Sequence, residues 1–231
     1  MKARLSMAFA DLRGKSGTVV ISKGRNGLVL RPRQTPDNPR TAAQVVVRGN
    51  FAKAARSFKG LSASNFNQWK YYATTITRVD PVTGATYSPT PIDLFVGLGA
   101  KYLQANPNGS IPQTPPANPF SGDPVTLTVT STVGGVTLTA SGPNSANVKT
   151  EILIRVVGSG KIKPSADKLR SWAFVGFAAG SLTYTIGLVP GFFALGYRFV
   201  NIATGQETAV TLLPLCTVTV TAEQSTRKRA A

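Results

Sequence analysis

The chain has 231 residues, with 26 Lys+Arg against nine Asp+Glu, no histidine and a formal net charge of +17. General acid–base catalysis and metal binding draw on His, Cys and clustered carboxylates. This composition therefore points away from an enzyme or metalloprotein, and toward a partner for polyanions or a packed subunit. A hydrophobic fraction of 42% is enough for cores and excludes a disordered basic tail. The charge is uneven: residues 1–106 hold 16 Lys+Arg and four Asp+Glu, whereas residues 107–231 hold 10 and five.

Met1 to Leu5 is basic, but the apolar stretch after it is too short for a signal peptide. Thr18–Ser22 and Leu28–Arg31 are β-prone runs separated by Lys23-Gly24-Arg25-Asn26-Gly27, whose Asn-Gly pair suits a hairpin turn. Pro32 to Arg40 then delivers the chain to a helix. Thr41 with Gln44 has the form of a capping box, and the helix is expected over Ala42–Lys59. At 100° per residue, Val47, Phe51, Ala54, Ala55 and Phe58 fall on one stripe, while Val45 and Val46 fall outside it. Ser62 or Ser64 caps a second helix that carries Trp69, Tyr72, Ala73 and Ile76 on one side. After the turn Asp80–Gly84, Thr90 caps a third, largely apolar helix with Pro91 at its first position.

Six prolines crowd Asn106 to Pro124, a composition that predicts a semi-rigid spacer. Beyond it, seven strands are expected: Val125–Ser131, Gly135–Ala140, Glu151–Val157, Ser171–Phe177, Leu182–Ile186, Phe192–Asn201 and Thr208–Thr221. Cys216, the single cysteine, reads as a small core residue. The richest apolar stretch, Trp172 to Phe193, is broken by Gly176, Gly180, Gly187 and Pro190, so no membrane span is expected. The expected fold class is α+β. Its parts are a basic N-terminal unit of hairpin plus three helices (1–106), a proline-rich linker (107–121), an antiparallel β-sandwich (122–222) and a basic tail (223–231).

Two resemblances attach to these segments. Gly14-Lys15-Ser16-Gly17-Thr18-Val19-Val20, Asn38-Pro39-Arg40-Thr41-Ala42-Ala43-Gln44 and the downstream Trp69 and Leu94-Phe95-Val96 resemble a bacterial and phage-borne domain family of uncharacterised function, over about residues 9–106. That resemblance implies a virion component. Residues 122–222 are similar to a fibronectin type III or immunoglobulin-like sandwich, through Gly196-Tyr197-Arg198-Phe199-Val200 and the turn Ile202–Gln206. Such modules imply a displayed surface rather than a catalyst.

Arg13-Gly14-Lys15-Ser16 mimics the end of a phosphate-binding loop, but Phe9 stands where that motif needs glycine. Asn108-Gly109-Ser110 matches a glycosylation sequon and reads as a turn. The candidate interface is the basic set Arg13, Lys15, Lys23, Arg25, Arg31, Arg33, Arg40, Arg48, Lys53, Arg56 and Lys59, opposed within the first sixty residues only by Asp11 and Asp37. Such cations contact phosphates without reading sequence, or cross subunit boundaries to meet carboxylates. Trp69, Tyr71 and Tyr72 offer rings for base stacking, although helical spacing favours a core place for Trp69 and Tyr72. The sequence thus reads as a virion-type structural subunit: a capsid, neck or tail component in a homo-oligomer or among other virion proteins. The alternatives are a nucleic-acid-binding protein and a bacterial surface module. No cofactor is expected. Native mass spectrometry of the purified chain should show neither stoichiometric zinc nor a bound nucleotide; either one would overturn the non-catalytic reading.

Overall fold

Val19, Val20 and Ile21 favour extended backbone, and the N-terminal segment is accordingly a sheet. The computed structural model describes residues 2–3, 14–24, 27–34, 40–80, 84–161 and 163–219. Strands β1 (Lys2–Ala3), β2 (Gly14–Ser16), β3 (Val19–Gly24) and β4 (Gly27–Pro32) form an antiparallel sheet in the order β1-β4-β3-β2. The expected hairpin is its centre, with Ile21 opposite Leu30 and Gly24 opposite Gly27. The hairpin's tip residues 25 and 26 lie outside the described residues, as does the expected basic tail. Gly17, at φ 54, makes the turn between β2 and β3, a backbone region that glycine enters without penalty.

The chain divides into two compact units, Met1–Ala42 and Ala43–Ala231. The expected linker, 107–121, falls inside the second unit. Three helices follow the sheet: α1 (Ala42–Lys59), α2 (Ala63–Thr75) and α3 (Pro91–Ala105). Ser62 caps α2 by accepting the Asn65 N–H at 3.2 Å. Thr90 and Asp93 cap α3 reciprocally, each side chain accepting the other's backbone N–H at 3.3 Å. Between α2 and α3, strands β5 (Arg78–Val79) and β6 (Thr86–Tyr87) pair antiparallel, and residues 81–83 of the expected turn lie outside the described residues. Ala54, Trp69, Ala73, Leu94, Phe95, Val96, Leu103 and Ile111 form the helical core. The Trp69 and Phe95 rings meet edge to face at 5.2 Å.

Ile111 belongs to the expected linker and is buried in that core. Trp69 Nε1–H donates to the Gln113 carbonyl at 2.9 Å, and Gln113 Nε2 donates to Ser57 Oγ at 3.2 Å. Pro116 is buried, and Phe120 packs against the core that follows. The proline-rich stretch is a strap bound along its length, because a segment with few N–H donors packs well where its few polar groups find partners.

The later strands are β7 (Leu127–Thr132), β8 (Gly135–Ala140), β9 (Val148–Val157), β10 (Arg170–Val175), β11 (Thr183–Gly187), β12 (Gly191–Asn201), β13 (Thr211–Leu212) and β14 (Cys216–Val218). One sheet runs β10-β9-β12, with both β13 and β14 pairing along β12; the other runs β11-β8-β7; both are antiparallel. The expected last strand is split because Pro214 lacks the N–H that a continuous ladder needs. Alternation sorts β12 cleanly. Phe193, Leu195, Tyr197 and Phe199 enter a core shared with Val136, Leu138 and Ile186 of the smaller sheet, while Ala194 packs with Leu153 and Leu169 in a separate cluster. Cys216 is buried in the shared core, as expected of a small apolar side chain. Thermolysin digestion of the folded chain should leave the peptide bonds between Asn106 and Asp123 intact. Early cleavage there, releasing a helical fragment from a sheet fragment, would restore the two-domain division.

Candidate functional site

The basic residues singled out above are divided between the two units. Arg13 and Arg25 lie outside the described residues. Lys15 and Arg31 share a row across the first sheet, since both are in register with Val20 of β3, and both are exposed. Lys23 stands on β3 opposite Leu28, and exposed Arg33 follows β4. Gly14–Ser16 is strand rather than loop, and it leads through a turn into β3 rather than into a helix. The phosphate-loop resemblance therefore has neither the loop nor the helix N-terminus that a phosphate cradle uses. Arg40 takes a left-handed backbone, at φ 47, just before α1.

Arg48, Lys53, Arg56 and Lys59 are all exposed on α1. Arg48, Arg56 and Lys59 fall within roughly 80° of one another around the helix axis at 100° per residue. Lys53 lies further round and reaches the Gly109 carbonyl at 3.4 Å.

The apolar stripe of α1 behaves differently along its length. Ala54 is fully buried, and Ala55 and Phe58 pack against the helical core. Val47 and Phe51 share that azimuth one to two turns earlier, yet they are 51% and 58% exposed. Val45 and Val46 are exposed as well. Three of the five stripe residues therefore belong to the core, and two overhang it. The packed part is the later turns of α1, where Phe58 meets the Phe66 ring of α2 and the Phe95 ring of α3.

The strongest electrostatic feature was not singled out by the sequence reading. Glu151 on β9 is fully buried. It stands opposite Arg198 of β12 and accepts from Arg198 Nε at 2.6 Å. Lys101 of α3 donates to both its oxygens, at 3.2 and 3.0 Å. Glu207 closes the square, 3.1 Å from Lys101 Nζ and 2.8 Å from Arg198 Nη1. Burial pushes the Glu151 carboxyl upward, but hydrogen bonds from Arg198 and Ser171 and the charges of Lys101 and Arg198 outweigh it and hold the group below its ordinary value. The signal available in the sequence was a lone carboxylate at the head of an apolar strand, Glu151-Ile152-Leu153-Ile154.

The two acids and two bases of this square pair with one another and tie α3 to β9 and β12. Among the described residues no three His, Cys, Asp or Glu gather as metal ligands, and no helix is long and apolar enough to cross a membrane. No family model matches the chain, and no curated protein does.

Replacing Glu151 with Gln should cost up to about 3–5 kcal/mol at neutral pH, because it leaves two partly buried cations to share the single carboxylate of Glu207. Glu151 has a depressed value in the folded chain, so its ionised form stabilises the fold above the unfolded value of roughly 4.3 and loses that effect as pH falls through the lower folded value. Urea titrations should show the gap between wild type and Glu151→Gln constant near neutrality and shrinking in acid. A gap indifferent to pH would contradict the assignment.

Proposed function

We propose that this chain is a structural subunit of a virion-type assembly, docked through α1 and its neighbouring basic segments, with the two facing sheets acting as a displayed β-sandwich of immunoglobulin-like kind. The observation that carries the reading is the overhang of α1. Val47 and Phe51 continue a core stripe past the end of the core, beside the Arg48, Arg56 and Lys59 sector. Contiguous apolar surface edged with charge is a feature of protein contact sites. The segment from Asn38 to Val79 contains no Asp or Glu, so the complementary surface is one that supplies carboxylates around an apolar centre. Arginine forks suit such pairing. The particle context extends the expectation drawn from the sequence strings of residues 9–106, and the scarcity of acid–base side chains fits a non-catalytic role.

A second reading, nucleic-acid coating, draws on the same exposed cations together with the Lys15–Arg31 row of the first sheet. The two readings differ in what α1 does. Phosphate contacts use the cations and leave Val47 and Phe51 unused, whereas subunit docking uses both.

Val47→Asp and Phe51→Asp are the informative variants. Both side chains are exposed, so the fold should hold to within roughly 0.5 kcal/mol. The assembled species seen by analytical ultracentrifugation of the nuclease-treated chain should fall to monomer in both. Assembly that survives these changes, or a wild type that is monomeric and gains mass only with DNA or RNA, would overturn the docking reading.

A further inference from the structure

Apart from the α1 face, the second unit carries a groove with a built-in chemistry. One wall is the outer side of α2, where Ser64, Asn67, Gln68, Tyr71 and Thr75 follow one another at helical spacing. The other wall is the strap, Pro115 to Pro119. The cavity between them measures about 890 Å³, within the range of small-ligand sites, roughly 300–1,000 Å³.

The walls are fixed before any ligand arrives. The Trp69 indole ties α2 to the strap at Gln113, and Gln206 Nε2 donates to the Asn118 carbonyl at 3.1 Å. Prolines in the strap hold φ without help from a partner. Such a site meets its ligand with little ordering cost.

The lining decides the ligand class. In a chain of net charge +17 it contains no charged side chain. A phosphate or carboxylate ligand draws on Arg or Lys forks, and a cationic ligand on carboxylates; neither is in the lining. A purely hydrocarbon ligand would bury the carboxamides of Asn67, Gln68 and Asn118 unpaired. These amides each present donors and an acceptor, which matches vicinal hydroxyls. Tyr71 presents its ring beside them, 74% exposed, and its electron-rich face attracts polarised C–H groups. A proline-rich peptide suits the groove less well. The indole N–H that would read its carbonyls is already used by the chain's own strap.

We propose that this groove binds a neutral oligosaccharide, with Tyr71 as the platform under a sugar ring and Asn67, Gln68 and Asn118 pairing with its hydroxyls. The site is independent of the assembly reading: it lies on α2 and the strap, and its failure would leave α1 docking untouched.

The test uses the full chain with maltotriose, cellotriose, mannotriose and chitotriose as probes, read by saturation-transfer NMR and calorimetry. At least one should bind saturably, with affinity unchanged between low and high salt because no ion pair is involved. Tyr71→Ala should weaken that binding about tenfold, and Tyr71→Phe should keep it, since the ring rather than the hydroxyl is the platform. Gln68→Ala should weaken it as well. Tyr71 and Gln68 are exposed, so unchanged thermal melting will certify the fold of each variant. Absence of binding by all four probes would overturn the proposal. So would binding that survives Tyr71→Ala, or a groove that takes a polyproline peptide instead.

Discussion

A carboxylate with no solvent contact must be neutralised where it sits or lose its charge. Glu151 is such a group, and Arg198 and Lys101 satisfy it from two directions, one along the sheet and one from α3. Only nine carboxylates exist in the chain, and two of them, Glu151 and Glu207, are spent in this square. Replacing a buried pair by apolar residues is often harmless, while removing one member is costly. The square therefore acts mainly as a registration device: α3 has one position on the sheet at which no charge is stranded.

Other contacts along the same seam agree with that position. Asn106 donates to the Ile202 carbonyl at 2.8 Å, and Lys149 reaches the Ala105 carbonyl at 3.4 Å. Gly205 turns at φ 79 directly beneath α3, where a Cβ would run into the Leu98 carbonyl oxygen. Any larger residue there must push the helix off the sheet. The strap then covers the helical core with Ile111 and carries the chain to Phe120 at the sheet core. Helices and sheets finish each other's surfaces, and the overhanging turns of α1 are where that completion stops. The proposed docking face thus lies beside a well-packed body, and the groove on α2 is held by the same strap.

What the sequence disclosed was local. Caps at Ser62 and Thr90 were legible because capping needs only a few neighbouring residues. Strand β8 and the hairpin of β3 and β4 were legible from alternation and turn residues. The packing of the proline-rich segment was not legible, because proline content reports backbone stiffness and says nothing of what a stiff segment touches. Gln113 meets Ser57 of α1 and Trp69 of α2, 56 and 44 residues away, and no local pattern announces such partners. Strand β2 was missed because Gly-Lys-Ser has low β propensity and is held by pairing with Val19 to Ile21. The basic set was legible as composition but not as a place, since its members are divided between the strands of the first unit and α1 of the second. Val47 and Phe51 fitted the stripe correctly, but periodicity gives a direction and not whether anything stands there.

Hydrogen exchange read by mass spectrometry under native conditions tests the central claim that the Glu151 square and its seam join helices and sheets into one cooperative body. The account predicts that the slowest amides of α3 share the opening free energy of those in β9 and β12, and that all three lose protection together as denaturant rises. Helices that open while the sheet stays protected would contradict it.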